Sequence, residues 1–137
     1  MLSGVAIAAK ARNPRIRVFA AEPTGADDTF RSFAAGHIVP VGKTNTIADG
    51  LLTTVGEVTF PILRQHVERV FTVTEEQIVA AMRLVWERMK LVIEPSAAVG
   101  VAVVLSDEFK ALEGITTVGV VICGGNVDLD HLPWRKS

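Results

Sequence analysis

The chain has 137 residues, of which 21% are charged, and its formal net charge is −1 with a pI near 6.3. This length predicts a single domain, and a nearly neutral chain gives no electrostatic basis for binding nucleic acid or an anionic membrane surface. No apolar stretch reaches the roughly 18 residues that a membrane-spanning helix needs. The one cysteine excludes an internal disulfide and suits a reducing compartment, so we expect a cytoplasmic location.

Hydrophobic residues make up 49% of the chain, and the mean hydropathy is +0.36, which is high for a domain of this size. Such domains bury only about two-thirds of the surface that their unfolded chain exposes. We therefore expect apolar faces that pack against a partner subunit or against a part of the protein outside this sequence. The opening segment is apolar, but it is short and lacks a basic start, so a signal peptide is not expected.

The first half of the chain alternates between helical and extended patterns. Its opening segment is apolar on nearly all sides, which is typical of a buried helix. Asp27 and Asp28 suit a helix start, and Gly36 suits a helix end. The predicted elements of this half are a helix over 2–11, a strand over 15–22, a helix over 27–35 and a short strand over 38–41.

The second half carries clearer local signals. Thr74 and Gln77 have the spacing of a capping box, Pro61 fits a first helical turn, and Gly114 suits a helix end. The predicted elements are a polar loop over 43–50, a helix over 57–67, a strand over 70–73, helices over 74–90 and 94–112, and a strand over 118–122. Helices alternating with strands predict an α/β fold, with a mostly parallel sheet flanked by helices.

The most informative stretch is 115–126, Ile-Thr-Thr-Val-Gly-Val-Val-Ile-Cys-Gly-Gly-Asn. Its run of β-branched residues predicts a parallel strand buried on both faces. Two glycines follow at once, and they allow a sharp turn or a close approach of the backbone to a ligand. Because open α/β sheets bind ligands beyond the carboxyl ends of their strands, 123–126 is the first candidate site.

A second candidate site lies near Glu22, at the end of a predicted strand. Asp27 and Asp28 follow it by five and six residues. Two carboxylates and a loop carbonyl at this spacing suit a hard divalent cation such as Mg²⁺ or Ca²⁺. The alternative is that Asp27 or Asp28 caps the following helix while Glu22 is solvated, and the spacing alone leaves both interpretations open.

Other patterns in the sequence are less informative about function. His37, His66 and His131 share no metal-ligand spacing, so we interpret them as surface or hydrogen-bonded residues. Cys123 would need a nearby base or cation to act as a nucleophile, and its sequence neighbours supply neither. The dinucleotide fingerprint and the P-loop pattern do not occur. The residues alone thus predict an α/β domain with a site at its strand ends.

Five short motifs in a fixed order are more specific. The chain resembles the carboxyl-terminal part of the large domain of the fold type II pyridoxal-phosphate enzymes, the family of serine racemases and of serine and threonine dehydratases. The resemblance covers nearly all of the 137 residues. The motifs are Ala-Glu-Pro-Thr-Gly-Ala-Asp-Asp at 21–28, Thr-Ile-Ala-Asp-Gly at 46–50, Trp-Glu-Arg-Met-Lys at 86–90, Ile-Glu-Pro-Ser at 93–96 and Cys-Gly-Gly-Asn-Val-Asp-Leu at 123–129.

The resemblance implies a site for a metal ion and a site for a nucleotide. Glu22, the backbone carbonyl of Ala26, and Asp28 correspond to the family's site for a divalent cation, which can be Mg²⁺, Mn²⁺ or Ca²⁺. Lys90 corresponds to a residue of a site at the subunit interface where ATP binds as an activator. These assignments imply a homodimer.

The resemblance also implies a pyridoxal 5'-phosphate site. Cys123 corresponds to the position that faces the pyridine nitrogen, and a neutral side chain there does not require that nitrogen to be protonated. Asp49 and Gly50 correspond to a loop on the substrate side of the cofactor. Glu94 corresponds to a position near the ring, and Gly124 belongs to the same cofactor-binding turn as Cys123.

Several residues and loops that the family needs for catalysis and cofactor binding lie upstream of this stretch. They are the lysine that holds the cofactor covalently, the loop that binds the substrate carboxylate, the serine base and the glycine-rich phosphate loop. None of the five lysines here has the surroundings of that lysine. We therefore expect 1–137 to be a fragment or truncated gene model that is inactive alone. The whole enzyme would interconvert L- and D-serine, or convert serine to pyruvate and ammonia.

Two alternatives remain open at this point. One keeps the scaffold and changes the substrate, giving a threonine dehydratase or an aspartate racemase. The other is a non-catalytic module that binds a metal or a partner protein. The residues that would separate these substrates lie in the family's substrate loop, which this sequence does not contain.

Overall fold

Two parallel strands form the sheet of this computed structural model, which describes residues 1–134. Strand β1 is Phe19–Pro23 and strand β2 is Arg69–Val73, with Phe19 opposite Arg69 and Pro23 opposite Val73. The helices are α1 (Leu2–Arg12), α2 (Asp28–Ala35), α3 (Thr59–His66), α4 (Glu75–Met89), α5 (Pro95–Leu105) and α6 (Asp107–Lys110). Short 3₁₀ turns occur at Thr24–Ala26 and Asp49–Leu51.

The sheet lies between two apolar cores. Successive side chains of a strand point to opposite faces. Accordingly, Val70 packs with Ala6 of α1 and Leu63 of α3 on one face, whereas Phe71 packs with Met82 of α4 and with α5 on the other. Helices therefore cover both faces of a parallel sheet, and the expected α/β class is confirmed.

Most predicted helices form close to their expected bounds. The capping box at the start of α4 is present, because Thr74 Oγ1 accepts from the Gln77 N–H at 3.3 Å and Gln77 Oε1 accepts from the Thr74 N–H at 2.8 Å. Gly36 ends α2 in the left-handed region with φ +76°. These signals act within one turn of the chain, which is why they can be recognised in the sequence.

The predicted helix over 94–112 is interrupted. Helix α5 ends at Leu105, because Ser106 is extended and its hydroxyl donates to the Val103 carbonyl at 2.7 Å. The same oxygen accepts from the Phe109 N–H at 3.2 Å and so caps the separate helix α6. A serine that offers its backbone these local bonds favours a break in the helix.

The expectation that the first helix is buried is also wrong. Ala6 is the buried residue of α1, while Ile7 is 46% exposed and Met1 is 72% exposed. Helix α1 packs on α3 along the side that carries Ala6, with Leu2 and Ala9 partly buried there, whereas Ile7 and Ala8 are exposed.

Two predicted strands are absent from the described part of the chain. Side chains bind the backbone of 38–41, since Val39 donates to Ser32 Oγ at 2.8 Å and Val41 donates to Thr54 Oγ1 at 3.0 Å. The 118–122 segment is neither a strand nor buried on both faces, with Val118 and Val121 42% and 54% exposed. A strand needs a neighbouring backbone, and within residues 1–134 the only ladder joins β1 to β2.

None of the helices in residues 1–134 is both long enough and apolar enough to cross a bilayer.

Candidate functional site

Glu94, immediately before α5, is the hub of the first candidate site. Its backbone N–H donates to the Gly124 carbonyl at 3.2 Å, and its carboxylate oxygen Oε2 accepts from the Asn126 N–H at 2.9 Å. Gly124 has φ +116°, and a Cβ built on it would lie 2.4–2.6 Å from the three atoms of the Glu94 carboxyl group. The 123–126 turn is thus fastened to the start of α5, and it requires glycine at 124.

The 3₁₀ turn with Asp49 and Gly50 joins this cluster from another part of the chain. The Gly50 N–H donates to Ser96 Oγ at 3.0 Å, and the Ser96 hydroxyl donates to Asp49 Oδ1 at 3.5 Å. A Cβ on Gly50 would meet Ser96 Oγ at 3.0 Å and Glu94 Oε1 at 3.8 Å. The structure therefore brings Asp49, Gly50, Glu94 and Gly124 together, although up to 75 positions separate them in the sequence.

Cys123 is exposed, and it immediately precedes Gly124 in this cluster. Its strand is absent, yet the hydrogen bonds around Gly124 still fix the backbone beside it. The thiol is therefore accessible to solvent at the residue that precedes the Glu94 cluster.

Sequence reasoning gave no role of their own to Ser96 and Asp128, and it named Asn126 only as the last residue of the 123–126 candidate site. A cavity of about 210 Å³ adjoins the cluster and is lined by Asp49, Pro95, Asn126, Asp128 and His131, among others. His131 Nδ1 and Asp128 Oδ2 lie 2.7 Å apart, and this contact lowers the Asp128 pKa. The signal available in sequence was that Ser96 and Asn126 fall inside two of the five motifs.

The second candidate site surrounds Glu22, at the end of β1. Glu22 Oε1 accepts from the Thr29 N–H at 3.2 Å, and Oε2 accepts from the Phe30 N–H at 2.8 Å. These are free donors at the start of α2, so Glu22 caps that helix from outside it. The capping alternative is therefore wrong in its detail, since it gave the cap to Asp27 or Asp28 and left Glu22 solvated.

Asp28 is 2% exposed, and its Oδ2 accepts from the Val55 N–H at 2.7 Å. Ala26, whose carbonyl belongs to the expected set, is 3% exposed. Asp27 points elsewhere, because Arg31 Nε donates to its Oδ1 at 2.7 Å. The chain thus holds two carboxylates and a buried loop between β1 and α2.

Burial is the main electrostatic influence on both carboxylates. It raises the pKa of Glu22, which the nearby negative charge of Asp28 raises further, while the bonds from Thr29 and Phe30 oppose the shift. Burial also raises the pKa of Asp28, against the bond from Val55 and the charge of Arg31. Two neighbouring carboxylates that disfavour their charged forms are stabilised by a cation placed between them.

Within the described residues, no group of three or more His, Cys, Asp or Glu side chains is arranged to hold a metal ion. A cation at the Glu22 site would thus take two carboxylates, with backbone carbonyls and water as its other ligands. That donor set suits Mg²⁺, Mn²⁺ or Ca²⁺, which prefer oxygen.

Lys90 ends α4 in the left-handed region, with φ 59° and ψ 31°. Its Nζ donates to the Glu87 carbonyl at 2.7 Å, so part of its role is to satisfy the end of the helix. Its expected part in nucleotide binding stays a prediction.

The protein-family comparison decides the class of protein. The family model described as "Pyridoxal-phosphate dependent enzyme" matches residues 1–124, which include both candidate sites up to Gly124. This chain belongs to the pyridoxal-phosphate dependent enzyme family. The resemblance expected from the five motifs is confirmed.

Curated members of this family share high identity with the chain. It is 57% identical over 134 residues to a protein named serine racemase from Dictyostelium discoideum, covering 96% of this chain and 41% of that protein. It is 48% identical over 140 residues to serine racemase from Homo sapiens, covering 100% of this chain and 41% of that protein. The chain thus spans about two-fifths of the length of these relatives.

Solved structures of the pyridoxal-phosphate family have the same fold. Maize serine racemase superposes with a TM-score of 0.92 at 49% identity, over 94% of this chain and 40% of that one. A pyridoxal 5'-phosphate-dependent aspartate racemase superposes with a TM-score of 0.89 at 36% identity, over 98% of this chain and 43% of that one. The fold is that of part of a fold type II enzyme, as expected.

Proposed function

We propose that this chain is the carboxyl-terminal portion of the cofactor-binding large domain of a pyridoxal-phosphate-dependent serine racemase and dehydratase. The observation that carries the proposal is the meeting of Asp49, Gly50, Glu94 and Gly124 beside the exposed Cys123. The 57% identity to a serine racemase adds the substrate class. Serine is therefore the proposed substrate, with D-serine, or pyruvate and ammonia, as products.

The incomplete sheet supports the proposal that the chain is part of a larger domain. The exposed 115–122 segment is rich in β-branched residues, and Val120 contacts α5, since a Cβ on Gly100 would lie 3.2 Å from Val120 Cγ1. Strand β1 packs on the same helix, and within residues 1–134 it pairs with β2 along one edge and has no partner on the other. We expect these unpaired backbones to pair with strands from the remainder of the protein.

The residues of the Glu94 cluster fit the cofactor. When bound, pyridoxal phosphate supplies an electron-withdrawing ring that makes the α-proton of an amino acid acidic. Cys123 would offer the ring nitrogen a thiol in place of a carboxylate. Glu94 fixes the turn that carries this thiol, and Asp49 and Gly50 form the neighbouring wall.

The chain alone should not turn over substrate. By family resemblance, the lysine that anchors the cofactor and the serine that exchanges the proton belong to the upstream part. Without an anchor and a paired acid and base, the chain can position a ring but cannot move the α-proton.

The finer assignments rest on the resemblance together with local geometry. We assign a divalent cation to Glu22, Asp28 and the Ala26 carbonyl because burial raises the pKa of both carboxylates, and a cation would favour their charged forms. ATP at Lys90 and a homodimer are proposed from the family alone, and a cytoplasmic location is proposed from the single cysteine. The exposed thiol of Cys123 suits a reducing compartment.

Threonine and aspartate are the competing substrates. A solved threonine deaminase superposes with a TM-score of 0.86, and the aspartate racemase with 0.89, so the fold does not separate them. Their identities of 42% and 36% are lower than the 58% for the structure of Dictyostelium serine racemase. Identity therefore favours serine.

The experiment is reconstitution. The chain is co-expressed with the preceding part of Dictyostelium serine racemase, purified with pyridoxal phosphate, and supplied separately with L-serine, L-threonine and L-aspartate. We expect D-serine and pyruvate from serine at higher kcat/KM than products from the other two. Activity only with threonine or aspartate would overturn the serine assignment. A folded complex that is inactive with all three would overturn the enzyme assignment.

A further inference from the structure

The segment 45–55 connects the two candidate sites. Its first residue contacts the turn after β1, where the Asn45 N–H donates to the Gly25 carbonyl at 2.9 Å. A Cβ on Gly25 would lie 1.9 Å from the Asn45 carbonyl oxygen, so the two backbones touch there. The last residue, Val55, donates to the buried Asp28 carboxylate at 2.7 Å.

The middle of the same segment reaches the Glu94 cluster. Gly50 donates to Ser96 Oγ at 3.0 Å, at the start of α5. Between these points Ala48 is fully buried, and Ile47 donates to Glu75 Oε2 at 2.8 Å, at the start of α4. One end of the segment is therefore fixed by Gly25, next to the Glu22 site, and the other end by Asp28 within that site. Gly50 lies at its centre.

We propose that Gly25 and Asp28 are positioning residues that set Gly50 through the 45–55 segment. This inference rests on the proposed function: cation binding at the Glu22 site would change how well Asp49 and Gly50 are held in place beside the cofactor. Asp28 is one of the two carboxylates in that site, and its other contact is the far end of the segment. A change at Asp28 therefore acts on Gly50 through the segment, without a direct contact to Glu94 or Gly124.

The physical basis is local opening. The 45–55 segment has one short 3₁₀ turn and no strand or α-helix, so a few hydrogen bonds to other elements determine its order. Segments of this kind open with a free energy below that of global unfolding. Removing an end contact should therefore expose the Gly50 amide more often, even though its own partner, Ser96, is unchanged.

The test is amide hydrogen exchange by NMR on the 137-residue chain, without cofactor. The amide of Gly50 reports the segment, and the amide of Ala102 in the buried part of α5 reports global opening. Gly25→Ala and Asp28→Ala should each increase the exchange rate of the Gly50 amide by about fivefold, with Gly50 still exchanging faster than Ala102. Asp28→Asn keeps an acceptor for Val55 and should stay within about twofold of the wild type.

The matched control is Ser106→Ala, which removes the cap of α6 far from the segment. It should raise the exchange rate of Ala102, which depends on global opening, and leave the exchange rate of Gly50 unchanged. If Gly50 keeps its wild-type exchange rate in both Asp28→Ala and Gly25→Ala, the connection does not exist. Should Gly25→Ala not fold, the pair Asp28→Ala and Asp28→Asn decides alone, since equal Gly50 exchange rates in the two would overturn the proposal.

This measurement is independent of the proposed function. It needs neither cofactor nor turnover, so the reconstituted enzyme can be active while the connection is absent. Conversely, a failed reconstitution does not affect the result of the exchange measurement on Gly50.

Discussion

The carboxylate of Glu94 fills the space that a side chain at Gly124 would need. The distance from a Cβ at position 124 to the Glu94 Cδ would be 2.4 Å, well inside contact distance. The turn also requires a positive φ of 116° at Gly124. The backbone conformation and the packing therefore both indicate that the turn beside Cys123 requires glycine at position 124.

Gly124→Ala should destabilise the chain by about 2 kcal/mol or more, because it combines a strained φ with a clash against Glu94. Urea unfolding measures the change. Gly4→Ala is the matched control, since a Cβ there meets nothing within 4 Å and α1 gains a better helix former. The control should be neutral or stabilising, and equal losses in the two variants would contradict the role of Gly124.

The raised pKa values of Glu22 and Asp28 predict a pH effect on stability in the absence of a divalent cation. A carboxyl with a higher pKa in the folded state binds its proton more tightly there than in the unfolded chain. The contribution of each group to the free energy of unfolding should therefore fall as the pH rises from its ordinary pKa, 4.5 for Glu22 and 3.8 for Asp28, through its raised pKa in the folded chain.

The measurement compares wild type and Glu22→Gln by urea unfolding at several pH values. Other carboxylates, such as Glu68 beside Arg17, have lowered pKa values and contribute with the opposite sign, so the difference between the two proteins is the relevant quantity. Over this pH range, the free energy of unfolding of the wild type minus that of Glu22→Gln should decrease as the pH rises. A constant difference would contradict the raised Glu22 pKa.

Divalent cations should stabilise the folded chain through the same two carboxylates. Thermal unfolding with and without Ca²⁺, Mg²⁺ or Mn²⁺ should show a higher Tm with cation in the wild type, because binding to the folded state alone adds stability. Asp28→Asn should abolish the increase. Asp27→Asn is the control, because Asp27 pairs with Arg31, and it should keep the increase. An equal response in both variants would place the cation elsewhere.

Cys123 should react with a thiol reagent in the folded chain at nearly the rate seen in urea, because its side chain is exposed. In the reconstituted complex, added pyridoxal phosphate should slow the reaction by about tenfold or more, since a bound cofactor covers most of the wall it contacts. Cys123→Ser serves as the blank for the reagent. Reaction that the cofactor leaves unchanged would separate this residue from the cofactor site.

The features that sequence predicted well are local ones. The start of α4 and the end of α2 are set by Thr74, Gln77 and Gly36, within one turn of the helix concerned. The identity of the Glu94 cluster came from motif order, and no local rule places Gly50 beside residues 44 and 74 positions later.

The failures have the same physical origin. A β-branched run such as 118–122 favours an extended backbone, but its pairing depends on a neighbouring strand that no local pattern specifies. Glu22 caps α2 across a turn, a contact between residues seven and eight apart that capping rules do not describe. Ser106 ends α5 because its hydroxyl bonds the backbone in both directions, whereas its neighbours are helix-compatible.

The most direct measurement of the central claim is cofactor-dependent D-serine formation by the reconstituted complex. The account predicts D-serine and pyruvate from L-serine only when this chain, the preceding part of a serine racemase and pyridoxal phosphate are all present. A folded complex that binds pyridoxal phosphate but forms neither product would contradict it. So would turnover of serine by the 137-residue chain alone.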